Sequence, residues 1–97
     1  MIHHTVLLRW KPTTTVATQR DLAAKLVALK GAIPEIRTIT TGPNLDPDSA
    51  GEWPFVLEVR VDDLAALKRY TDHPAHMAVV KELREAREAR LAVDLEV

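Results

Sequence analysis

The sequence has no cysteine. That one absence removes disulfides, thiolate zinc sites, iron–sulfur clusters and a cysteine nucleophile together, and it accords with a reducing cytoplasm. Glycine is scarce: Gly31, Gly42 and Gly51 are the only three. They are scattered as turn residues and form neither a GxGxxG nor a Walker A phosphate loop, so no nucleotide cofactor is expected. The lone serine, Ser49, lies in a stretch rich in proline and aspartate, away from any nucleophile-elbow pattern. No His-Glu-x-x-His zinc motif is present, and Asp46 and Asp48 lack the spacing of a calcium loop, so no metal is expected either. Charge of neither sign dominates, with 13 basic against 14 acidic side chains and a net charge of −1. A nucleic-acid binder would need a basic face to replace phosphate counterions, so that class of partner is not expected. The longest early apolar run, Val6-Leu7-Leu8, is too short for a signal segment or a membrane span. A cytoplasmic protein without membrane partners is the expectation.

What is present is patterning. Ninety-seven residues hold one domain, 1–97, whose own core is marginal because a chain of this size buries only about two-thirds of its unfolded surface. Residues Ile2 to Lys11 alternate, with Ile2, His4, Val6, Leu8 and Trp10 on one face and His3, Thr5, Leu7, Arg9 and Lys11 on the other. Pro12 stops this strand. From Thr15 to Lys30 the period becomes helical, carried by Leu22, Leu26, Leu29 and Ile33, and Gly31 supplies a stop. Glu35 to Thr41 reads as a second strand, and Gly42 to Pro54 as a loop with three prolines and two glycines. Phe55 to Val61 alternates again. Asp62 suits the N-cap of a short helix whose face is Leu64, Leu67 and Tyr70, and Pro74 suits the first position of the next. Lys81 to Arg90 reads as the solvated face of that last helix, and Leu91 to Val97 as a closing strand.

The order strand, helix, strand, strand, helix pair, strand predicts an α+β fold of the ferredoxin-like, split βαβ kind: a four-stranded antiparallel sheet with helices on one face. Leu7 and Val56 fall on the other face. In so small a chain a second copy is the economical cover, so a homodimer through the open sheet face is expected.

The chemistry-bearing residues that remain are histidine and one tyrosine. His4, Tyr70 and His76 all belong to inward faces, and three polar tips in one apolar layer each need a partner or a pocket. His76 sits in the first turn of its helix, where the positive end of the helix dipole disfavours imidazolium and burial acts in the same direction. A neutral imidazole accepts a proton, and a nearby phenol can hold a carbonyl oxygen as charge develops. The pair His76 and Tyr70 is therefore the expected catalytic equipment for deprotonating a carbon beside a carbonyl. His73, just ahead of Pro74, reads as a residue that leads into the helix; with His4 it is also a candidate substrate-binding position. Room for a ligand calls for roughly 300 Å³ or more between sheet and helices.

The stretch Tyr70-Thr71-Asp72-His73-Pro74-Ala75-His76 resembles the Tyr-x-x-His-Pro-x-His signature of the stress-responsive A/B barrel (Dabb) family. His4-Thr5-Val6-Leu7-Leu8-Arg9-Trp10-Lys11 is similar to that family's opening strand. Ile33-Pro34-Glu35-Ile36, Gly42-Pro43-Asn44 and Val93-Asp94-Leu95-Glu96 are similar to its later segments. The resemblance spans essentially the whole chain and implies a dimeric α+β barrel. It extends to the olivetolic acid cyclase-type polyketide cyclases of the family, cofactor-free enzymes that close a linear thioester by an aldol step. It implies His76 as base, Tyr70 as orienting group and His4 as a pocket residue. Phe55 stands where those enzymes carry a further pocket histidine, which implies a more apolar pocket here. The function expected is thus a dimer that binds a small carbonyl or polyketide-like compound, with cyclase- or lyase-type acid–base chemistry. The alternatives are a non-catalytic stress-responsive dimer and a cofactor-independent monooxygenase.

Overall fold

The computed structural model describes residues 1–97. Strand β1, Ile2–Trp10, buries Ile2, His4, Val6 and Leu8 on the face that the alternation assigns. Helix α1, Val16–Ala28, is capped by Thr15, whose hydroxyl accepts from the Thr18 amide at 3.1 Å, and it buries Leu22 and Leu26. A 3-10 turn, Leu29–Gly31, closes it. Strand β2 runs Thr38–Pro43 and β3 runs Phe55–Val61. Two helices follow, α2 over Leu64–Asp72 and α3 over Pro74–Ala86, and then strand β4 over Arg87–Glu96.

The strands form one sheet in the order β2-β3-β1-β4, every neighbouring pair antiparallel. This is the ferredoxin-like arrangement that the element order predicts. One core of 19 buried residues fills the layer between sheet and helices, with Ile33, Val59 and Val61 fully out of contact with solvent. None of the helices is long and apolar enough to cross a membrane.

Three boundaries differ from the sequence reading, each for a physical reason. The second strand starts at Thr38 rather than Glu35, because Ile33 to Ile36 form a turn closed by the Ile36 amide on the Ile33 carbonyl. It runs on to Pro43 because Gly42 and Pro43 still stand opposite Val56 and Phe55. The cap of α2 is Asp63, not Asp62: the Asp63 carboxylate accepts from the Ala66 amide at 2.8 Å, while Asp62 forms a two-pronged pair with Arg37. The third difference is the largest. Arg87 to Arg90 are strand, not helix, since the long β1 draws them into its ladder, with Arg87 opposite Trp10 and Arg90 opposite Leu8. Good helix-forming side chains give way there to pairing with β1.

The two aspartates are separable by experiment. Asp63→Ala leaves the first turn of α2 uncapped and is expected to lower stability by about 1 kcal/mol, read as the urea midpoint. Asp62→Ala removes only an exposed ion pair and is expected to move the midpoint less.

Candidate functional site

A cavity of about 230 Å³ opens between the sheet and the helix pair. Val6 and Leu8 of β1, Leu57 of β3, Leu26 of α1 and Val80 and Leu83 of α3 form its apolar wall. His4, Tyr70, Thr71 and His76 supply the polar groups, and Arg84, Arg87 and Arg90 complete the lining. The volume falls short of the roughly 300 Å³ that the sequence reading set for a ligand, so the hollow suits a compact compound rather than an extended chain.

The local sequence explains how the polar groups come together. Tyr70 lies in the last turn of α2, and His73 ends that helix in extended backbone so that Pro74 can begin α3. The break folds α3 back so that the His76 ring lies against Tyr70, with ring centroids 4.5 Å apart. His4 approaches Tyr70 from the sheet edge-on at 6.2 Å.

Each ring is held differently. His76 Nδ1 is 2.9 Å from the Thr71 carbonyl. A carbonyl only accepts, so Nδ1 carries the ring proton and Nε2 is the proton-accepting atom. Burial lowers the His76 pKa below its ordinary value; the Thr71 bond opposes this, and the neighbouring His4, Arg90 and His73 side chains add to the lowering. Tyr70 is wholly enclosed, and burial pushes its phenol up to about 12, so it remains a donor. Its hydroxyl is the one buried side-chain polar atom without a hydrogen-bond partner in the protein. An enclosed, unpaired hydroxyl beside a cavity is a position a ligand oxygen can satisfy. His4 Nδ1 donates to the Asp94 carboxylate at 2.5 Å, which fixes the orientation of its ring.

Of the five residues singled out from sequence, three meet here and two do not. Phe55 lies opposite Leu8, whereas His4 lies opposite Val59, so Phe55 is about 13 Å farther along the strand. Its ring packs edge-on against Trp10 at 5.1 Å and lines a separate groove with Gln19 and Arg20. His73 is occupied as the N-cap of α3, its Nδ1 accepting from the Ala75 amide at 3.0 Å. The residue that sequence reasoning passed over is Asp94. It shares the inward face of β4 with Ala92, directly across from His4, and only the β1–β4 register brings the two together.

The sequence profile described as the stress responsive A/B barrel domain matches residues 2–97. The chain belongs to that family. This A/B barrel protein is 37% identical over 87 residues to an uncharacterized protein of Streptomyces coelicolor, covering 88% of this chain and 89% of that one. A structure from Bacteroides fragilis, described as a dimeric protein of unknown function with a ferredoxin-like fold, shares 31% identity. It superposes with a TM-score of 0.79 over 99% of the A/B barrel chain and 95% of its own. The hydroxynitrile lyase of Passiflora edulis has the same fold, with a TM-score of 0.89 at 19% identity over 99% of this chain and 92% of that one.

Proposed function

We propose that this A/B barrel protein binds a compact carbonyl compound in the cavity and moves a proton beside its carbonyl, with His76 as base and Tyr70 as polarising donor. The observation that carries this reading is the juxtaposition of a His76 ring whose Nδ1 proton is tied to Thr71 with the unpaired, buried hydroxyl of Tyr70. In the forward direction a C–H bond next to the carbonyl breaks. Its proton goes to His76 Nε2, and its electron pair moves to the carbonyl oxygen, where the Tyr70 O–H stabilises the enolate. The enolate carbon then attacks a second carbonyl, a C–C bond forms, and the new alkoxide takes the proton back from Nε2. The reverse sequence is a lyase reaction with the same groups. His4, held by Asp94, lines the opposite wall. That a protein of this fold is a hydroxynitrile lyase is in keeping with such chemistry, and the lack of cysteine is in keeping with a cytoplasmic location.

Solvent deuterium tests the proposal. Incorporation at the α-carbon of small ketones and keto acids is expected to run faster with the protein than without it. If the protein adds nothing to the spontaneous rate of any of them, the reading fails.

The same proposal includes a homodimer. Leu91, Val93 and Leu95 of β4 are 44 to 61% exposed on the outer sheet face, and Leu7 stands beside them, opposite Leu91. An exposed apolar row on an edge strand is a surface that a second copy covers. The related B. fragilis protein is described as dimeric. Val93→Lys combined with Leu95→Lys is expected to give a monomer in sedimentation equilibrium at micromolar concentration, where the unmodified protein sediments as a dimer. An unmodified protein that sediments as a monomer overturns the dimer.

A further inference from the structure

The three arginines in the cavity lining have no part in the proton transfer described above. Arg84 lies near the end of α3, Arg87 opens β4, and Arg90 follows in the same strand. In a regular strand, residues three apart face opposite sides. Here the β1–β4 register shifts: Arg9 stands opposite Ala89 and Trp10 opposite Arg87, so Glu88 is the extra residue of a bulge. The bulge returns Arg87 to the helix-facing side, where Arg90 already stands opposite the inward Leu8. Three arginines thus line one small cavity.

No carboxylate neutralises them. None of the three takes part in any of the ion pairs of the molecule. The acids on the same elements are directed elsewhere. Glu82 pairs with Lys25 and Glu88 with Arg9, Asp94 holds His4, and Glu85 lines a groove with Thr14 and Thr18. Burial holds the Arg87 guanidinium below its ordinary pKa, and its neighbours Arg90 and Arg84 lower it further. In a chain of net charge −1, three unpaired cations around an apolar hollow form a built counter-charge.

Resting on the carbonyl reading, we infer that the ligand carries a carboxylate, gripped by Arg84, Arg87 and Arg90, with its carbonyl directed to Tyr70 and His76. The planar fork of a guanidinium matches a carboxylate with two parallel hydrogen bonds. The substrate class is then a compact keto acid or, in the lyase direction, a β-hydroxy ketone that also carries a carboxylate.

The experiment is an NMR titration of the ¹⁵N-labelled protein with pyruvate, acetoacetate and 2-oxobutyrate, each against its methyl ester. At least one acid is expected to bind about tenfold or more tightly than its ester. That preference is expected to weaken with added salt and to be lost in Arg87→Gln/Arg90→Gln. Arg84→Gln, at an exposed position that tolerates the change, is expected to reduce it in part. Esters that bind as well as their acids, a preference that survives in the double variant, or no binding by any acid overturns the carboxylate assignment. Deuterium exchange separates this from the reading beneath it. If the esters bind and exchange while the acids do not, the carboxylate falls and the proton transfer stands. If the acids bind with the arginine dependence described but never exchange, the carboxylate stands and the proton transfer falls.

Discussion

His76→Ala is expected to slow turnover of the carbonyl ligand by about 10²–10⁴-fold, the usual worth of a positioned general base. The argument rests on which state the imidazole occupies. Burial disfavours imidazolium and brings the pKa below the ordinary 6.5, while the Thr71 carbonyl holds the proton on Nδ1. The ring is therefore neutral at pH 7, with Nε2 open to a proton. The sign of the pH dependence follows. Activity requires the unprotonated ring, so kcat/KM rises with pH through the His76 pKa and is level above 6.5, because the shift is downward. Tyr70, at about 12, contributes no alkaline limb in the working range. Stability moves in the same sense: the unfolded chain binds the His76 proton more readily than the folded one, so stability falls as pH drops from 6.5 through the lower folded value. The measurement is a pH–rate profile of the unmodified protein beside the rate of the variant at pH 7. A variant within about threefold of the unmodified protein, or one that keeps the acidic limb, moves the base elsewhere, and His4 is then the group to test.

How much of this could be read from the chain depended on whether a feature was local. The alternation of β1 and β3 and the stripe of α1 are properties of short windows, and the structure follows them closely. Tyr70, His73 and His76 are likewise neighbours in sequence, so a helix break between them sufficed to place Tyr70 and His76 in one layer. The features that eluded the sequence are all matters of register. Asp94 meets His4 across 90 residues, and nothing near either residue fixes that pairing. Arg87 and Arg90 looked like the polar face of a helix because their stretch favours helix; pairing with β1 decided otherwise, and a bulge at Glu88 brought Arg87 to the inward side that Arg90 shares. Phe55 was assigned to the pocket through the family resemblance; its face is inward, but its position along the strand lies outside the cavity. Inward direction is legible from a period of two; distance along the layer is not.

Tyr70→Phe is expected to cut turnover by about 10²–10³-fold while leaving the protein as stable or more so, and the opposition of the two effects makes the variant informative. The phenol is the only group in the cavity suited to donate a hydrogen bond while remaining protonated at every working pH and fully enclosed. Loss of one such preorganised donor costs about two to three orders of magnitude where charge develops on oxygen. Stability answers to a different feature. The Tyr70 hydroxyl has no protein partner, and an unsatisfied buried polar group costs about 1–3 kcal/mol, so removing it without altering the ring relieves the folded state. A group that weakens the fold and strengthens catalysis is what a functional site retains, whereas a packing residue shows the reverse. Urea midpoints measured beside the rates decide between these. A Tyr70→Phe protein that is less stable and equally active assigns the tyrosine to the core and leaves the enolate oxygen without a donor.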